Sequence, residues 1–305
     1  MKKNLFALGL MVCAMSMVAQ TEKKENNKDG WYFKLGASYF VQATATQFPS
    51  VGGQTPNRDV YVNGKLASRE SITGSFGEGF RYGGNVGYRF TPRLGVEMGI
   101  NYYNSNRKTM VETVDRVISM AGGGPTYLDL TSEGQVKALD LAPAIVLFLG
   151  ELKGFEPYSK VGVIVPVNGK LTIETTQDYN GPAVGGERKV FQSDKVKPNP
   201  TVGFLAALGT SYKLGKNLSA FGEVEYRNFT VHGKTKETTL YTVNGTDALS
   251  TRTTAQIHSN YTDYLDSTSN NADFNAVNSA KPTDELSSYI SISGVGLTLG
   301  LKYNL

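Results

Sequence analysis

From residue 31 onward the chain repeatedly sets apolar side chains at every second position, and that period of two limits its fold more than any other feature. Successive side chains of a β-strand point to opposite faces, so such alternation marks strands with one apolar and one polar face. Eight segments show it. In 31–42, Trp31, Phe33, Leu35, Tyr39 and Val41 oppose Lys34, Gly36, Ser38 and Gln42. In 79–90, Phe80, Tyr82, Val86, Tyr88 and Phe90 oppose Arg81, Asn85 and Arg89. In 94–103, Leu94, Val96, Met98, Ile100 and Tyr102 oppose Glu97 and Asn101. Segment 135–149 sets Leu139, Leu141, Ile145 and Leu147 against Asp140, and contains Pro143, which cannot donate to a ladder. Segment 157–167 sets Val161, Val163, Val165 and Val167 against Tyr158 and Lys160. Segment 201–214 sets Val202, Phe204, Leu208 and Tyr212 against Gly203, Ser211 and Lys213. In 218–229, Leu218, Ala220, Val224 and Tyr226 oppose Glu223, Glu225 and Arg227. In 289–305, Val295, Leu297, Leu299, Leu301 and Tyr303 oppose Gly296, Thr298, Gly300 and Lys302. Ile290 and Ile292 fall on the other parity, which a bulge near Gly294 explains.

The connections alternate too. Segments 91–93, 150–156 and 215–217 are short, whereas 43–78, 104–134, 168–200 and 230–288 are long. Short turns at one end and long loops at the other is the arrangement of a membrane barrel. The expected fold is therefore all-β, a transmembrane antiparallel up-and-down barrel of about eight strands with short periplasmic turns and long extracellular loops. Ten strands result if 170–176 and 238–243 join the wall. Thr238 is expected in an exposed loop, where substitution is near neutral.

The N-terminus agrees. Lys2 and Lys3 precede an apolar run over 5–15, and small residues lead to Ala19, a pattern of an export signal over 1–19. That run is about half of the ~20 residues a membrane helix needs. The most apolar later window, 139–149, holds eleven residues and Pro143, so a helical membrane protein is excluded. Residues 20–30 read as a short disordered periplasmic tail, and 31–305 as the barrel, with no peptidoglycan-anchoring domain expected after the last strand. The single cysteine, Cys13, lies within the signal, which removes thiol, disulfide and cysteine–zinc chemistry. A net charge of +4 without a Lys/Arg cluster argues against nucleic acid.

The export signal, the alternating segments and a last strand at the C-terminus resemble the small outer-membrane β-barrel, or porin-like, family of Gram-negative bacteria. PYSKVGVIVP, FGEVEYR and VGLTLGLKYNL carry the resemblance. It implies residence in the cell outer membrane among lipid and lipopolysaccharide, and insertion by the barrel-assembly machinery. Many members end in an aromatic residue; this chain ends at Leu305, with Tyr303 two positions before.

Candidate functional residues follow from parity and height. A barrel of eight strands is only just wide enough for its own side chains. Lys34, Arg89, Lys160, Lys213 and Lys302 fall near the periplasmic end as a basic set. Arg81, Asp140, Glu225 and Arg227 fall seven to nine residues up from that end, with Glu97 and Glu223 somewhat below them. Confined charges need partners, so these predict a mixed-sign plug. His232, and His258 beside Ser259, with Asp263 and Asp266 following, are the only material for a hydrolase, and a lone loop histidine is more often solvated surface. No catalytic residue, cofactor or metal is expected. The loop 261–275 lacks the calcium-loop spacing, and Gly122 to Gly124 reads as a turn. Two functions lead, a structural or surface-interaction barrel meeting an extracellular ligand through its loops, and a porin-like route for small solutes through the lumen or a lateral opening; an outer-membrane hydrolase is a remote third, on the histidines alone.

Overall fold

The computed structural model describes residues 30–199 and 201–305; the expected signal over 1–19 and the tail up to residue 29 lie outside the described residues. Eight strands pair antiparallel in a ring: β1 (Gly30–Gln42), β2 (Gly79–Arg89), β3 (Leu94–Ser105), β4 (Thr126–Phe148), β5 (Phe155–Gly181), β6 (Gly203–Lys213), β7 (Leu218–Asn228) and β8 (Gly294–Asn304). Each pairs with the next, and β8 returns to β1 over Tyr32↔Asn304 to Gln42↔Gly294. Closure leaves no strand edge along the belt, as a structure crossing lipid requires.

Outward residues of the ring are the apolar set that alternation picks out. Ile145 is 59 % exposed and Leu299 61 %, while Val146, one position on, is fully buried. Aromatic pairs mark both margins of this belt. Trp31 packs on Tyr88 and Phe155 on Tyr212 near the short turns, with ring centroids 5.0 and 4.6 Å apart. At the other margin Tyr39 meets Phe80 at 4.9 Å and Tyr82 stacks on Tyr102 at 5.5 Å. Trp31 and Tyr39 are eight residues apart on β1, about 20 Å along the membrane normal for a tilted strand rising ~3.3 Å per residue.

The long segments are not loops throughout; much of them continues as strand. β4 runs 23 residues and β5 runs 27, more than twice the ~9–11 residues a membrane strand needs. Above the ring they are flanked by the strands Lys108–Ser119 and Gly186–Asn199, then by Thr230–Val243 and His258–Thr262. Arg58↔Glu112 and Ser259↔Thr283 are parallel pairings in this upper sheet. The proposed strands at 170–176 and 238–243 therefore exist, but as part of the upper sheet, so the ring keeps eight members. Thr238 correspondingly departs from its expected loop setting: it is 2 % exposed and donates to Asp194 Oδ1 at 2.6 Å.

An apolar core fills the upper sheet's concave side, built from Phe76, Tyr103, Met110, Leu171, Val196, Phe229 and Ile292 among others. This explains the parity slip before the last strand. Ile290, in a separate strand Tyr289–Ser291, and Ile292 just after it turn inward to that core, and the chain crosses the 75–77 segment before β8 starts. The crossing is close: a Cβ on Gly77 would lie 1.8 Å from the Ser293 carbonyl oxygen.

Candidate functional site

The ring's interior holds six cations, Lys34, Arg81, Arg89, Lys160, Arg227 and Lys302, and five carboxylates, Glu97, Asp140, Glu156, Glu223 and Glu225, all buried. β1 through β8 put them there by parity alone, since each alternates with a belt residue. Three tiers result, counted from the short turns.

In the lowest tier Glu156 accepts from Arg89 Nη1 at 2.6 Å and from Lys302 Nζ at 3.2 Å. The Arg89 guanidinium lies 4.0 Å over the Phe148 ring. In the middle tier Lys34 Nζ reaches Glu97 at 2.7 Å and Glu223 at 3.0 Å, and Lys160 Nζ reaches Glu223 at 2.8 Å and Glu97 at 3.6 Å. Tyr158 donates to Glu223 at 2.8 Å and Tyr32 to Glu97 at 3.1 Å. In the upper tier Arg81 grips Glu225 with both terminal nitrogens, at 2.5 and 2.8 Å. Arg227 meets Asp140 at 3.8 Å and lies over Tyr103 at 4.7 Å, while Asn101 donates to Asp140 at 3.0 Å. A bidentate guanidinium–carboxylate pair is the stronger geometry, so Arg81–Glu225 is tight and Arg227–Asp140 loose.

Two placements differ from the sequence reading. Lys34 and Lys160 do not belong to a separate basic set; their long stems carry the ammonium groups to Glu97 and Glu223. Lys213, the last residue of β6, emerges at the mouth instead of the lumen, with 48 % of its side chain exposed and Glu151 at 3.0 Å. One partner was missed. Glu156 shares the inward parity of Tyr158 and Lys160 and would have been found by starting that strand at Phe155.

The space left among these groups is a cavity of about 20 Å³ lined by Arg81, Lys160, Glu223, Glu225 and their neighbours, room for about one water. A wider mouth of about 210 Å³ opens below it beside Arg89, Glu156 and Lys302. His232 packs on Tyr289 at 5.2 Å, and Ser259, beside His258, donates to Glu285 at 2.7 Å. In the loop, Asp266 accepts from the Thr268 hydroxyl at 2.7 Å.

Just above the upper aromatic margin, Glu78 accepts from Lys108 at 2.5 Å and Asn106 at 2.8 Å. The Lys108 hydrogen bond holds the Glu78 carboxyl below its usual range. A lowered acid contributes stability that is present above its unfolded value and lost as pH falls through the folded one. Acidification from neutral pH should therefore reduce amide-exchange protection across Lys108–Ser119, after correction for intrinsic rates. The expected loss is roughly two- to fivefold, the scale of a partly exposed pair worth ~0.3–1 kcal/mol. Glu78→Gln should remove that pH dependence; an unchanged profile would mean the pair does not anchor this strand.

Residues 6–278 match the family model described as the outer membrane protein beta-barrel domain. Among solved structures the chain is similar to the outer membrane protein OprG from Pseudomonas aeruginosa, at 11% identity over 93% of this chain and 99% of that one, with a TM-score of 0.41. It is also similar to CarO2 of Acinetobacter baumannii, at 11% identity over 90% of this chain and 99% of that one, with a TM-score of 0.31. No curated protein matches it by sequence.

Proposed function

Because the chain belongs to the outer membrane protein β-barrel family, we propose that it is a non-conducting barrel of the outer membrane that holds a tall β-structure outside the cell for contact with a surface partner. One observation carries this reading: paired charges fill the lumen and leave among them a cavity of only about 20 Å³, room for about one water. Planar-bilayer recordings of the purified protein should lack steady openings. Sustained conductance by the unaltered protein would overturn the proposal.

Orientation is tested separately. With the upper sheet outside, protease added to intact cells should cut in the turn-rich stretch 263–282 and spare the turns at 91–93 and 215–217. Cleavage at those turns instead would invert the topology.

A second reading, admission of small solutes through the wall, is favoured by a break in the ladder. β5 pairs with β6 up to Ile164↔Gly203 and with Gly186–Asn199 from Leu171↔Val196, so 165–170 has no partner on that edge among the described residues. An apolar cavity of about 40 Å³ lies behind, bordered by Pro166, Pro198, Phe229 and Ile290. Uptake of an apolar solute into vesicles without ion conductance would favour this reading over the first.

A further inference from the structure

Four lysines stand on the outer face of the wall immediately above the apolar belt. Lys137 on β4 and Lys170 on β5 are directly opposed across the ladder. Lys197 follows Val196, which pairs with Leu171 beside Lys170, and Lys195 precedes it. Val136, Leu171 and Val196 are buried in the upper core, so their lysine neighbours point outward. The three positions Lys137, Lys170 and Lys197 thus form a row across three adjacent strands, about 10 Å wide at ~4.8 Å per strand.

Like charges directly opposed across a ladder are unfavourable. The same two strands carry the acidic counterpart four residues higher, where Glu133 opposes Glu174. There the chain supplies its own counter-ion, since Arg107 reaches both carboxylates. For the four lysines no ion pair occurs among the described residues; Glu237 stands opposite Lys195 in register without bridging to it. The groove they line, about 510 Å³, has no carboxylate among the described residues, and its apolar lining includes Tyr102, Leu139 and Val167. These are the last outward apolar residues of β3, β4 and β5 before the lysines.

We infer that this groove binds the phosphorylated glycolipid of the outer leaflet, its phosphates on the lysine row and its acyl chains along Tyr102, Leu139 and Val167. A cationic row above an apolar face complements an amphiphile whose anionic group sits above its chains, and a row three strands wide suits two phosphates. The inference rests on the outward orientation proposed above, but its test does not, because binding is measured in detergent.

The full purified barrel would be titrated with diphosphorylated lipid A and followed by native mass spectrometry. Saturable retention of one lipid is expected. Lys137→Gln, Lys170→Gln and Lys197→Gln combined should weaken it at least tenfold, while the same three-charge loss at Lys65, Lys189 and Lys216 should not. Lipid A stripped of its phosphates, and inorganic pyrophosphate alone, should both fail to be retained. Equal retention by the lysine-row variant, or of the stripped lipid, would overturn the site, and saturation by pyrophosphate alone would assign it to a free anion. Should the variant not fold, retention by the unaltered protein must fall as salt screens the exposed row; salt-insensitive retention would also overturn it.

Discussion

Removing 295–305 is expected to abolish assembly altogether, leaving no heat-modifiable band in the outer-membrane fraction. β8 is the strand that closes the ring, pairing with β1 over eleven registers and with β7 over ten. Without it, both of those strands expose a row of unpaired N–H and C=O groups at belt height, each costing several kcal/mol in lipid. No neighbouring strand can take its place, since Tyr289–Ser291 pairs with Thr230–Val243 above the ring. The lowest lumen tier would also lose one of its two cations, because Lys302 departs from Glu156 while Arg89 remains. Deleting the upper stretch 263–282 is the control, and it should leave a folded, heat-modifiable barrel. Stable insertion of the chain lacking 295–305 would refute the ring.

Glu223→Ala should lower thermal stability in detergent more than any other single carboxylate change in the lumen. Glu223 accepts from Lys34, Lys160 and Tyr158, whereas Glu225 has Arg81 as its one ion-pair partner among the described residues. Truncation leaves two ammonium groups, both buried, sharing Glu97. Breaking a buried ion pair by removing one partner costs about 3–5 kcal/mol, and water entering the enlarged cavity softens that. Since Glu223 and Glu225 both line the 20 Å³ cavity, either truncation should also raise conductance above the silent baseline. Glu223→Gln keeps the shape without the charge and should fall between. The temperature at which gel mobility shifts, together with bilayer recording, reads both effects. No change in either for Glu223→Ala would mean that these tiers do not seal the barrel.

Much of this is legible in the sequence. Parity along Trp31 to Val41 or Val295 to Tyr303 separates belt from lumen because the period of a strand is fixed at two, whatever surrounds it. The same rule put Arg81, Glu97, Asp140, Glu223, Glu225 and Arg227 inside, and all are buried. Height was harder. Distance along a strand locates a Cα, but Lys34 and Lys160 carry their charge several bonds away, so pairing with Glu97 and Glu223 depends on where flexible stems end. Lys213 shows the opposite limit, correct in parity but at a strand end where the lumen has already opened.

The long segments defeated reading by pattern for a different reason. Above the apolar belt no acyl chains press on the wall, so outward positions need not be apolar: Lys137, Lys170, Glu133 and Glu174 stand where leucines and valines stand lower down. Alternation in hydrophobicity vanishes while the ladder continues. What the sequence determined by itself was the period, and with it the ring of eight and the two faces of its wall. Which charges meet, how far β4 and β5 climb beyond the belt, and how lysines distant in sequence come to share one row were decided only by register between strands. Register is a property of pairs, absent from any one segment.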